Sequence, residues 1–225
     1  LAVTGVSSSL ASHLLHEARH QAQWIGIHHK ECLTDELKNP SYKKNPENRC
    51  YACKQELHQH LIAIAKNANN CQVIDGVNLD DLGEHRPGIA ASRQAGARSP
   101  LAELGITKSS VRQISRALGF PWWNKPAQPC LASRVPYGEG INAELLEQIG
   151  KAEACLRTHG FHEVRVRVQN SSARIELPVN QIEEFTLNPE RNNIINYFLS
   201  IGFHSVSLDL EGLISGKLNR ERKSR

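Results

Sequence analysis

Between Leu1 and Leu118 short apolar stretches alternate with amphipathic ones, and this rhythm limits the possible folds more than any other feature of the chain. Leu1–Val6, Trp24–His28 and Cys71–Val77 read as short buried strands. Ser9–Gln23 reads as a helix behind small polar residues. Cys53–Ala68 reads as a second helix, with Leu57, Leu61, Ile64 and Ala65 on one face. Thr34 to Asn48 is a polar loop, and so is Asn78 to Gly88. Thr107–Leu118 is a further helix, with Thr107 placed to cap it and Gly119 to stop it. Strands joined through helices make crossover connections, which demand a parallel sheet with both faces covered.

The rhythm changes between residues 121 and 140, where Pro121, Pro126, Pro129 and Pro136 fall with Gly138 and Gly140. Beyond it come a helix (Asn142–Gly160), two strands (Phe161–Val168, Ala173–Leu177), a mostly helical stretch (Ile182–Ile201) and a strand (Ser205–Leu210). That order predicts a small α+β layer with helices on one face of its sheet. The expected domains are therefore residues 1–124, a linker 125–140 and residues 141–225.

At 225 residues, with 40% hydrophobic and 22% charged residues, the chain can bury one large core or two small ones. A net charge of +4 suits an anionic small molecule or a nucleotide better than a long nucleic-acid track. The basic residues Lys217, Arg220, Arg222, Lys223 and Arg225 read as a solvated tail. No run is long and apolar enough for a transmembrane helix, and no signal peptide is evident. The expected setting is the cytoplasm, where thiols stay reduced, so the six cysteines are better read as reactive or metal-binding than as a disulfide framework. The chain has no methionine and opens on a strand-like stretch, from which further sequence is expected upstream of Leu1.

Asn48-Arg-Cys50-Tyr-Ala-Cys53-Lys sits where a loop enters a helix. Two thiols at this spacing can bite one metal or cluster, and the helix N-terminus with Arg49 and Lys54 favours thiolate. A redox pair, half a zinc site or two unrelated cysteines fit the same pattern. Cys130 lies in the proline-rich linker near Lys125 and Arg134, either as a candidate thiolate or as a linker cysteine without a role. Cys71 and Cys155 read as small hydrophobes. Asp80 and Asp81 follow a strand, where a metal–nucleotide binds in doubly wound sheets, or they cap the next turn. Arg165 and Arg167 alternate on one strand face, as a phosphate clamp or as an exposed basic surface. Trp122 and Trp123 read as packing at the domain boundary.

Taken together these motifs resemble the LarE family, the ATP-dependent sulfur transferases that build the nickel-pincer nucleotide of lactate racemase. The resemblance is carried by residues 45–54, 75–88, 98–105, 125–138 (which include Cys130-Leu-Ala-Ser-Arg134), Val164–Arg167 and Leu208–Gly212. It implies an α/β fold: a Rossmann-like PP-loop ATP pyrophosphatase sheet of the HUP type, lacking its first strand, followed by a small C-terminal α+β domain. It implies that ATP, with Mg²⁺, adenylates a carboxylate of pyridinium-3,5-biscarboxylic acid mononucleotide and that sulfur displaces AMP. By resemblance, Cys130 is either sacrificed as sulfur donor, becoming dehydroalanine, or joins Cys50 and Cys53 in holding a [4Fe–4S] cluster that carries sulfide. The presence of all three cysteines favours the cluster version. Asp80 and Asp81 are implied as nucleotide or Mg²⁺ neighbours, with Asp81 catalytic beside Cys130. Arg134, Arg165 and Arg167 are implied to bind nucleotide or substrate phosphate. The Ser-Gly-Gly-x-Asp-Ser phosphate loop of the family is absent from the chain, and its place would be upstream of Leu1. A homo-oligomer is implied, and no membrane or nucleic-acid partner. A tRNA thiolase of the same class and a non-enzymatic, metal-stabilised module are the competing readings.

Overall fold

The computed structural model describes residues 1–84 and 86–220. The chain divides into two compact units. The first comprises Leu1–Ser7, Ala18–Tyr42 and Pro46–Pro129, the second Ser8–Glu17, Lys43–Asn45 and Cys130–Arg225. The five terminal residues, which include the expected tail cations Arg222, Lys223 and Arg225, lie outside the described residues.

In the first unit, strand β1 (Ala2–Val6) pairs in parallel with β2 (His29–Leu33), from Ala2 opposite His29 to Val6 opposite Leu33. Helix α1 (Ser12–Ile25) connects them, and the division between the units passes through it. The expected strand Trp24–His28 is thus wrong by about one turn. Gly26 adopts a φ of 77°, its N–H reaches the Gln23 carbonyl, and the Ile27 N–H reaches that of Ala22. This double bond is the glycine-terminated helix stop that satisfies the last carbonyls, so Trp24 and Ile25 complete the helix. The loop after β2 holds a 3₁₀ turn at Glu36–Lys38 and helix α2 (Pro40–Lys43). Helix α3 (Arg49–Asn67) begins four residues before the expected Cys53.

Cys71–Val77 does not form the expected ladder strand. Its sheet pairing is one parallel bridge, Ile74 with Arg98, flanked by Asp75 N–H to Arg98 O and Arg98 N–H to Val73 O. Ile74 stays largely exposed, and so does Cys71, whose thiol donates to the Ala68 carbonyl at 2.6 Å. Apolar composition alone could not supply the missing neighbour. A 3₁₀ turn (Asp80–Gly83) and helices α4 (Pro87–Gln94), α5 (Pro100–Glu103) and α6 (Lys108–Ala117) follow. Thr107 accepts from the Ser110 N–H, the predicted cap. Trp122 packs within this unit, 5.2 Å from Trp24 and 5.8 Å from Phe120 between ring centres.

The second unit is built on helix α7 (Ala143–Thr158), capped by Asn142 through the Leu145 N–H. Strands β3 (Arg165–Gln169) and β4 (Ser172–Glu176) form a hairpin. Its two-residue turn, Asn170-Ser171, has positive φ at both positions, as the right-handed twist of the strands requires. Helices α8 (Ile182–Leu187) and α9 (Arg191–Ser200) then carry the chain across to β5 (Ser205–Leu208), which pairs in parallel with β4. Val166, Val168, Ala173 and Ile175 bury one sheet face, with α7 along β3 and α9 along β5. Leu146, Ile149, Leu156, Phe161, Ile194 and Phe198 complete a core with no solvent exposure. Strand alternation sends Arg165, Arg167, Arg174 and Glu176 to the opposite face.

Gly212 shows how tightly the end of this sheet is closed. Its φ is 74°, and a Cβ there would lie 2.8 Å from the Leu177 carbonyl oxygen and 2.9 Å from Val179 Cγ2. Gly212→Ala combines left-handed backbone strain with a backbone clash. It is expected to destabilise the unit by roughly 2–4 kcal/mol, measured as the urea midpoint followed by far-UV circular dichroism. An unchanged midpoint would show that the turn relaxes freely. No helix among the described residues is long and apolar enough to cross a membrane.

Candidate functional site

Two sets of reactive side chains emerge, one in each unit. In the first, Cys50 and Cys53 occupy the opening turn of α3, where a three-residue spacing puts them on one helix side. Cys50 is exposed and Cys53 half-buried. The first-turn N–H groups and the helix dipole favour negative charge at this end. Helix α4 packs closely on this turn because Gly88 has no side chain: a Cβ there would meet Lys54 Cγ at 2.9 Å and the Cys50 carbonyl at 3.3 Å.

The same helix pair is tied by His58. It is buried, and its Nε2 lies 2.8 Å from Ser92 Oγ, which itself donates to the Gly88 carbonyl at 3.1 Å. The hydroxyl has one proton to give, so Nε2 is the donor to Ser92 and Nδ1 is bare. Nδ1 is buried without a hydrogen-bond partner. Burial, then the nearby Lys54 charge, hold this imidazole below the usual histidine range. A lowered folded-state pKa means that the unfolded chain takes up the proton first. Stability at this site is complete above about pH 6.5 and falls as pH drops through that value towards the lower folded pKa. Wild-type protein should therefore lose more stability between pH 7.5 and 5.5 than His58→Gln does. Equal losses in paired urea titrations would remove His58 as the cause.

In the second unit Cys130 is half-buried at the head of a 3₁₀ turn, Leu131–Arg134. Its carbonyl accepts from the Ser133 hydroxyl at 2.8 Å and from Arg134 Nη1 at 3.3 Å. Arg134 is itself buried, bound to Glu153 through Nε at 2.7 Å and Nη2 at 3.1 Å. Arg167 donates Nε to Glu176 at 2.6 Å and Nη1 to the Ser133 carbonyl at 2.9 Å. Arg165 donates to the Ile214 carbonyl at 3.3 Å. Burial, then the charges of Arg134 and Arg167, push the Arg165 guanidinium below the usual arginine range. Three guanidiniums thus gather about two wholly buried carboxylates, on the backbone that carries the Cys130 thiol. The arginines of β3 are buried, which removes the exposed-surface reading. By contrast, burial pushes the Cys155 thiol on α7 up, in keeping with the small-hydrophobe reading.

The acidic loop is self-satisfied. Asp80 Oδ2 accepts from the Lys108 N–H at 2.8 Å, at the start of α6. Asp81 accepts from the Asn78 N–H at 3.1 Å and pairs with Arg86 at 2.9 Å. Cys50 and Cys53 belong to the first unit and Cys130 to the second. Among the described residues, no three His, Cys, Asp or Glu side chains gather as they would about a metal ion.

Sequence reasoning missed Glu153, Glu176 and Ser133. Glu153 did leave a signal: with Leu146, Ile149 and Leu156 it lies on the apolar stripe of α7, and a carboxylate there needs a buried partner. Glu176 is legible only from the register, which sets it opposite Arg165.

No model of a known protein family matches the chain. It is 54% identical over 220 residues to an uncharacterized protein of Synechocystis sp., covering 98% of this chain and 82% of that one. It is 32% identical over 168 residues to an uncharacterized protein of Methanocaldococcus jannaschii, covering 75% and 65%. Against the pyridinium-3,5-bisthiocarboxylic acid mononucleotide synthase of Lactiplantibacillus plantarum it is 37% identical over 198 residues, covering 88% of this chain and 71% of that enzyme. At that identity and coverage, the chain belongs to the LarE family.

Proposed function

We propose that this protein transfers sulfur to an adenylated carboxylate of pyridinium-3,5-biscarboxylic acid mononucleotide, as a step towards the nickel-pincer cofactor. Family membership supports the substrate class. The observation that carries the reading is the half-buried Cys130 at the head of a turn whose backbone carbonyls are held by the buried guanidiniums of Arg134 and Arg167. Guanidiniums on the same turn suit a phosphate-bearing electrophile that the thiol would attack. A carboxylate is a poor electrophile; once joined to AMP it has a good leaving group, and sulfur replaces it as AMP departs. Arg165 and Arg167 are proposed to bind the substrate phosphate, and Arg134 to fix the Cys130 backbone. The first unit is read as the Rossmann-like, PP-loop ATP-binding part.

In the sacrificial route, the Cys130 thiolate attacks the acyl-adenylate and forms a thioester. Loss of the Cα proton and cleavage of the Cβ–S bond then leave dehydroalanine and the thiocarboxylate. In the second route, Cys50, Cys53 and Cys130 would hold an iron–sulfur cluster. The donor set fits, because thiolates are its usual ligands and the Cys50/Cys53 pair is accessible at a helix start. A cluster with one iron free of protein ligands would supply a docking point for sulfide. The acidic loop fits Mg²⁺ less evenly. Asp81 already holds both Asn78 and Arg86, which makes the exposed Asp80 the better ligand for the metal of ATP.

The test is anaerobic incubation of protein with ATP, Mg²⁺, the mononucleotide and sulfide, with product and protein masses read together. ATP-dependent thiocarboxylate with intact Cys130 supports the sulfide route. Product matched by the loss of one H₂S from Cys130 supports the sacrificial one. Absence of product from protein that binds ATP and substrate would overturn the reading.

A further inference from the structure

The buried guanidinium of Arg165 is covered by the segment that follows β5. Asp209 and Leu213 N–H groups bond the Ile175 and Leu177 carbonyls at 2.9 and 2.8 Å, which anchors the beginning of that segment to β4. The Ile214 carbonyl then takes up Arg165. Further on the contacts are ionic. Lys217 Nζ lies 2.6 Å from Asp209 and 3.1 Å from Glu211, and Arg220 lies 2.8 Å from Glu211. Asp209 also pairs with Arg174 of β4 at 3.3 Å.

This arrangement has two halves of different strength. Backbone bonds and the close fit at Gly212 hold the start of the segment rigidly, whereas charges hold its end. Meanwhile Arg165 is more than nine-tenths buried, repelled by Arg134 and Arg167 more than it is attracted by Glu176 and Glu153, and its bonded partner is a neutral carbonyl. A carbonyl oxygen is a weak substitute for an anionic oxygen at such a site.

We propose that residues 214–220 form a strap, closed by the Lys217–Asp209/Glu211 latch, which occupies Arg165 through the Ile214 carbonyl and opens to admit an anionic ligand. Opening exchanges the carbonyl for a phosphate oxygen and exposes Arg165. Glu211 is exposed, so added salt weakens its share of the latch, while the near-buried Lys217–Asp209 contact is screened less and the backbone anchor at Leu213 persists. The consequence for substrate entry rests on the reading of Arg165 as a phosphate site; the mobility of the strap does not.

The experiment is phenylglyoxal labelling of the whole chain, with the modification rate of each arginine read by peptide mass spectrometry. Lys217→Gln removes one charge-assisted contact to each acid and should speed labelling of Arg165 about tenfold. Glu211→Gln, at an exposed position with little risk to folding, should speed it to a lesser degree, and 0.5 M NaCl should do so in the wild type. Arg167, buried on the same face but held by Glu176 and Ser133, should not change. An unaltered Arg165 rate in both variants, or an equal rise at Arg167, overturns the strap. Inorganic phosphate or AMP added to Lys217→Gln should slow Arg165 labelling again. If the strap opens but neither anion protects, the phosphate-site reading fails while the strap stands.

Discussion

Cys130→Ala will form thiocarboxylate at least about a thousandfold more slowly than the wild type, the scale on which loss of a nucleophile is felt. Both proposed routes need this thiol, as the sulfur donor in one and as a cluster ligand in the other, so the expectation does not depend on which operates. The thiol itself makes few demands on the fold: it is half-buried, and its backbone carbonyl, which the substitution keeps, carries the bonds to Ser133 and Arg134. The variant should therefore fold normally and still bind the mononucleotide. Cys50→Ala and Cys53→Ala separate the routes. In the sacrificial route they should retain single-turnover product, whereas in the cluster route they should lose it together with bound iron and sulfide. Product formation by Cys130→Ala at the wild-type rate would remove the thiol from the reaction altogether.

Glu153→Ala will destabilise the second unit by about 3–5 kcal/mol, the usual cost of breaking a buried ion pair by removing one partner. Glu153 is wholly buried and accepts from Arg134, from Arg157 at 3.0 Å and from the Val166 N–H at 3.1 Å. Its loss strands the buried Arg134 charge and uncovers the outer edge of β3. The exposed Arg98–Glu103 pair is the control, and Glu103→Ala should cost far less. Trp24, Trp122 and Trp123 all lie in the first unit, so far-UV circular dichroism is the direct report on this change. A shift for Glu153→Ala no larger than that for Glu103→Ala would mean that water reaches the Arg134 site. Because Arg134 holds the Cys130 carbonyl, Glu153→Gln, which keeps the volume and a hydrogen-bonding oxygen, should recover part of both stability and turnover.

The amino-acid order alone determined the local signals. Thr107 and Asn142 cap their helices, Gly119 and Gly160 end them, and the Cys50/Cys53 spacing shares one turn, because each needs only neighbours along the chain. Gly26 carried the same information about the end of α1, and reading it as a stop would have placed β2 correctly. The alternation in β3 put Arg165 and Arg167 on one face, but not whether that face met water. Tertiary structure alone decided that burial, along with the pairing of Arg134 with Glu153 and Arg167 with Glu176, the single bridge left to Ile74, and the strap over Arg165. These depend on which distant segments meet: a charge is buried only where packing brings it a partner, and a strand forms only where a neighbour supplies the other half of its hydrogen bonds.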